Sequence, residues 1–124
     1  MTYLFIISST LLVVIDLVYL SIIGKSVFEK TVLAIQGSKL VVNIPPAIFT
    51  YILMAFVLNY FIISSNKQAF DAFILGFCVY GIFDFTNLAI LKNYTLKTAI
   101  MDTFWGAILF YITTLITYKI KKMF

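Results

Sequence analysis

The chain has no histidine and no arginine, and it has one cysteine, Cys78. Without histidine it lacks the commonest general base and the commonest metal ligand. A single cysteine cannot form an internal bridge. With no arginine and no basic domain beside the apolar runs, no nucleic-acid partner is expected. There is no GxSxG elbow, no P-loop, no Gly-rich dinucleotide fingerprint and no Cys/His cluster, so no cofactor and no metal is expected. Charge is also scarce. Only 11% of the 124 residues are charged, whereas an ordinary soluble domain has about a quarter.

What remains is apolar. Hydrophobic residues make up 63% of the chain and the mean hydropathy is +1.08. A domain this small leaves too much of itself at the surface to hide that excess in water. A hydrocarbon core about 30 Å thick takes roughly 20 residues of helix. Four stretches qualify, near residues 3–23, 44–63, 69–91 and 98–118. None alternates polar with apolar residues as barrel strands would, so the backbone must satisfy itself as helix. The expectation is an all-α membrane protein: one transmembrane domain over residues 1–124, built as a four-transmembrane-helix bundle. The first span carries Asp16 and lacks a basic leader and a small-x-small site, so it reads as retained and not as a cleaved signal. It is expected to end at Gly24-Lys25-Ser26. The connection from Gly24 to Asn43 has two readings, a short amphipathic helix in the interface or an ordered loop.

An even number of spans puts both termini on one side, with Lys67, Lys119, Lys121 and Lys122. The other side holds Lys25, Lys30, Lys39, Lys92 and Lys97. The cluster at the end of the chain favours cytoplasmic termini for this multi-pass protein. A weak internal echo is also present. Asp16, Leu20 and Ile22 match Asp84, Leu88 and Ile90 in spacing, and Ala47-Ile48 and Tyr51-Ile52 match Ala107-Ile108 and Tyr111-Ile112. Such a duplication would make two parallel helix-hairpin repeats.

The carboxylates are the informative residues. Glu29 and Asp71 fall at the water boundary, while Asp16, Asp84 and Asp102 lie inside hydrophobic runs. Asp16 and Asp84 each stand seven residues from the end of a span, roughly 10 Å below one face at about 1.5 Å per residue. Asp102 is four residues into span four and falls in the same leaflet, away from the termini. Tyr19, Tyr80 and Asn87 share a helix face with these acids through spacings of three or four. Trp105 is at similar depth, and Asn43 stands at the mouth of span two. Lys25, Lys92 and Lys97 ring the same side, within reach of the acids.

One carboxylate in a bilayer costs at least about 2.5 kcal/mol. Three at one level imply that they face one another, a partner or water, and at least one is expected to be neutral at pH 7. The plainer reading makes Asp102 and Asn43 helix caps, Asp16 and Asp84 interhelical glue, and the aromatic residues an interfacial belt. Ala72, Gly76 and Tyr80, with Ala69, Cys78 and Gly81, read as a close-packing face of span three, with Cys78 buried and inert.

Three segments carry a resemblance: Asp16-Leu-Val-Tyr-Leu20, Tyr80-Gly-Ile-Phe-Asp84-Phe-Thr-Asn87-Leu-Ala89 and Asp102-Thr-Phe-Trp105-Gly106. With them the chain resembles, over nearly its whole length, the uncharacterised family called domain of unknown function 2177, small predicted membrane proteins. The family pattern often has tryptophan where this chain has Tyr19. The resemblance implies architecture and no activity. Three functions compete on the residues. The first is an acidic pocket that binds or modifies a lipid or small amphiphile. The second is a proton or cation transport element, expected as a homo-oligomer because four helices are few for a pore. The third is an accessory subunit with no site. Membrane lipids are the expected partners in each, and whether the chain is an enzyme is left open.

Overall fold

The computed structural model describes residues 2–124, and every regular element there is a helix. Helix α1 (Thr2–Tyr19) passes through a π turn (Leu20–Gly24) into α2 (Lys25–Gln36). Helix α3 (Ile44–Leu58) passes into a second π turn (Asn59–Ile63), and α4 (Ala69–Ile90) and α5 (Leu96–Met123) complete the chain. The resulting rods, Thr2–Gln36, Ile44–Ile63, Ala69–Ile90 and Leu96–Met123, are each long and apolar enough to cross a membrane. The architecture is an all-α four-helix transmembrane bundle.

The ends of the rods follow local chemistry. Gly37 adopts φ 75° and its N–H returns to Leu33 O, the left-handed stop that ends α2. Pro45 and Pro46 occupy the first turn of α3, where a missing N–H costs nothing. Gln68 and Asp71 form a reciprocal capping box on α4. Thr95 caps α5 by accepting the Thr98 N–H at 3.1 Å. Lys121 and Lys122 lie in the last turn of α5, next to its negative end.

Packing centres on α5, which contacts α1, α2 and α4. Its contact with α4 is the most extensive in the molecule, and glycine is the reason. A Cβ on Gly76 would meet the Gly106 carbonyl oxygen, and one on Gly106 would overlap the Tyr80 ring. Small residues let two backbones approach where apolar burial gives no drive, since lipid tails are as apolar as the side chains. Leu12, Leu58, Leu109 and Phe110 fill the middle of the bundle at zero exposure. Phe49, Phe83 and Ile22 point outward, as lipid-facing residues do.

Several expectations need correction. The first helix does not end at Gly24-Lys25-Ser26; it runs to Gln36. Gly24 is buried, its missing side chain leaving room for the Tyr19 and Phe28 rings 3.1 and 3.3 Å from where a Cβ would sit. Of the two readings of this connection, the helix holds as far as Gln36, continuing the first rod, and Gly37 to Asn43 is irregular. The fourth helix continues past Tyr118 to Met123, its lysine stems running along the last turns. Cys78 is exposed on the outer face of α4, not buried.

Candidate functional site

The three intramembrane acids come from three places in the fold. Asp16 lies near the end of α1, Asp84 near the end of α4 and Asp102 six residues after the first residue of α5. All three are buried, Asp84 completely. Asp102 is therefore no helix cap, because Thr95 holds that place.

The acids differ in how they are satisfied. Asp16 accepts two hydrogen bonds, from the Tyr51 hydroxyl of α3 at 2.5 Å and from Trp105 Nε1 of α5 at 2.8 Å. Each of its oxygens has a donor, and together they tie three helices. Asp84 accepts from the Tyr94 hydroxyl through Oδ1 at 2.6 Å, while its Oδ2 is buried without a donor. The Asp84 and Asp102 carboxyls lie near one another between α4 and α5. Two carboxyls so placed bond only when one of them carries a proton, so they behave as a pair and not as two independent acids.

The surrounding groups are aromatic. Tyr19 stacks on Trp105 with centroids 4.1 Å apart and planes 3° from parallel. The Tyr19 hydroxyl is buried and makes no hydrogen bond. Tyr80 lies over Gly106, edge-on to Phe110, within electrostatic reach of all three acids. Asn87 is half-buried in the last turn of α4. Tyr94 itself sits in the α4–α5 connection, outside the spans. Burial, then its bond to Asp84, pushes its hydroxyl above the ordinary tyrosine range, so it remains a donor at any working pH.

The model of a family described as a predicted membrane protein, DUF2177, matches residues 1–119. The chain belongs to that family. No curated protein and no solved structure matches it.

In this DUF2177 chain Asp16, Tyr19 and Trp105 are in direct contact, while Asp84, Tyr80 and Asn87 stand on α4 and Asp102 on α5. Asn43 is not among them. It is exposed at the start of α3 with no side-chain cap bond. Lys25, Lys92 and Lys97 are exposed, and the partners of Asp16 and Asp84 are Tyr and Trp donors instead. Thr86, at similar depth, faces outward.

Sequence reasoning missed the two tyrosines that donate to the acids. Tyr51 stands seven residues after Ile44, the same depth arithmetic that placed Asp16 and Asp84. That signal was available. Tyr94 has none, since it reaches Asp84 only because the connection folds back. Asn93 makes that turn in the left-handed region at φ 74° and anchors it through its side-chain N–H to Ala34 O at 3.0 Å.

Proposed function

We propose that the Asp84–Asp102 pair is a binding site for the polar group of a lipid or small amphiphile, entering from the leaflet away from the termini. A carboxyl pair sharing one proton offers a donor and an acceptor side by side. This suits a hydroxyl or carbonyl group and places a proton for transfer to it. The stacked Tyr19–Trp105 plane would cover the adjoining apolar segment. Asp16, with both oxygens bonded within the bundle, is assigned to holding the helices. The observation that carries this reading is the completely buried Asp84, whose Oδ2 has no donor other than the neighbouring Asp102 carboxyl, while the buried Tyr19 keeps an unspent hydroxyl. Buried polar groups are nearly always paired, and the exceptions call for an explanation.

A conducting element is less well supported. Leu12, Leu58, Leu109 and Phe110 close the bundle between the acid layer and the side of the termini. The lysines at the end of α5 support termini on the cytoplasmic side, which would open the site to the opposite leaflet.

The test is native mass spectrometry of protein extracted from membranes with its lipids. Wild-type protein is expected to retain a bound lipid or amphiphile that Asp84→Asn and Asp102→Asn lose, with melting temperatures near wild type. Equal retention by folded variants overturns the reading.

A further inference from the structure

We propose that the recess between α2 and the start of α5 binds a phosphate group, carried by a phospholipid headgroup or free in solution. The recess has a volume of about 360 Å³ and is separate from the acid layer. Ser26, Lys30 and Thr31 of α2 line one wall, and Thr95, Lys97 and Thr98 line the other. Two lysines thus face one space from two helices, and no carboxylate is among the lining residues. Glu29 is exposed beside Lys30 in sequence but does not line the recess.

Three further observations point to an anion. First, α5 presents its positive end here. Thr95 satisfies the Thr98 N–H, and helix geometry leaves the N–H groups of Leu96 and Lys97 without partners within the helix. Second, the first turn of α5 holds no acid and instead carries Lys97. A cation there opposes the helix dipole, whereas an anion would complement both. Such a break of a local rule is expected at a functional position. Third, the hydroxyls of Thr31, Thr98 and Thr95 form a chain, with Thr31 to Thr98 at 2.8 Å and Thr98 to Thr95 at 2.7 Å. Three hydroxyls carry three protons, and the chain uses two. One O–H of the three is therefore left over, and all three threonines line the recess. Thr31 is 4% exposed and Thr98 not at all, so this is a built wall and not a chance surface of lysines.

Position selects the same chemistry. The first rod has 35 residues, roughly 50 Å at about 1.5 Å per residue, so α2 projects beyond a hydrocarbon core about 30 Å thick. The recess therefore lies at headgroup level. Lysine is a compact point charge that binds phosphate without requiring a planar fork.

The experiment is a titration of purified protein in neutral detergent, read by native mass spectrometry. Phosphatidylglycerol is compared with diacylglycerol bearing the same tails, and inorganic phosphate is added in a separate arm. Wild type is expected to bind phosphatidylglycerol at least about tenfold more tightly than diacylglycerol. The double variant Lys30→Gln/Lys97→Gln should weaken this by roughly tenfold or more, and Lys30→Arg/Lys97→Arg should restore it to within about threefold. Both lysines are exposed, so unchanged melting temperatures are expected. Displacement by millimolar inorganic phosphate assigns the site to the free ion, and its failure to displace assigns it to the headgroup. Equal binding of phosphatidylglycerol and diacylglycerol overturns the proposal. So does an equal loss in Lys119→Gln/Lys122→Gln, on the opposite side of the bundle, which would mean diffuse charge attraction.

Discussion

The pair α4 and α5 and the pair α1 and α3 are held by different means. The first meets over glycines, with Gly76 and Gly106 so placed that neither has room for a methyl group. The second has a much smaller helix-to-helix contact and is fastened by side-chain bonds, Tyr51 to Asp16 and Ser8 to Asn59. The contrast bears on the acids. Where packing is loose, Asp16 spends both oxygens on fastening helices together. Where packing is already tight, Asp84 takes one hydroxyl, from Tyr94 of the connection, and its Oδ2 has no donor other than the neighbouring Asp102 carboxyl. A buried charge-bearing group that is not needed for cohesion is the stronger functional candidate, because its cost is not offset by a structural return.

The contrast can be broken most forcefully at the glycines. Gly76→Ala would drive a Cβ into the Gly106 carbonyl oxygen and to 2.8 Å from the Phe110 Cβ and Cγ. Overpacking of this kind costs about 1–3 kcal/mol, and backbone cannot swing aside as a flexible side chain can, so the upper end is expected. Gly81→Ala is the control. Its Cβ would lie 3.4 Å from Thr103 Cγ2, an ordinary contact, and the change should be small. Denaturant titration in mixed micelles measures both. Equal losses would show that close backbone approach is not what holds α4 to α5.

The acids come next. Asp16→Ala removes the acceptor of both Tyr51 and Trp105, and hydrogen bonds between membrane helices average about 0.6 kcal/mol with a maximum near 1.7. A loss of about 2 kcal/mol is expected for the two together. Asp84→Asn keeps the shape, leaves an amide oxygen for the Tyr94 hydroxyl and adds a donor beside Asp102, so its stability should change by less than about 1 kcal/mol, the net worth of a typical hydrogen bond. Matched melting curves decide between them. An Asp84→Asn loss as large as that of Asp16→Ala would make both acids structural and remove the argument for a site.

Much of this was legible in the residues, for reasons that also mark where legibility ended. Apolar run length sets a span because the bilayer has a thickness, so the four helical rods were legible from counting. Counting does not distinguish a glycine that stops a helix from one that admits a ring. Gly24 resembles a stop and is buried against Tyr19 and Phe28, whereas Gly37, in the left-handed region, is the true end. Nor does depth reveal azimuth. Cys78 shares the run of α4 with Gly76 and Tyr80 but sits on its outer face. The internal echo shows the same limit. Tyr51 and Tyr111 hold matching positions, yet Tyr51 donates to Asp16 while Tyr111 packs edge-on against Phe73. Tyr94 was the least accessible, since its reach to Asp84 depends on a turn made by Asn93.

The smallest expected effect sharpens the contrast most finely. Ser8 donates to Asn59 Oδ1 at 2.9 Å, and Asn59 in turn donates to Ala55 O, inside the second π turn. Ser8→Ala should cost about 0.6 kcal/mol, the membrane average for one such bond. Ser8 is eight residues from Asp16, roughly 12 Å along the helix at about 1.5 Å per residue. At that separation, with no shared partner, losses should add within about 0.5 kcal/mol. The double variant Ser8→Ala/Asp16→Ala is therefore expected near the sum of the two singles. Additivity means two independent fasteners along one loose seam. A loss well beyond the sum means that α1 detaches from α3 as a unit once either is cut, and the seam would then be a single cooperative contact, more like α4–α5 than its sparse packing suggests.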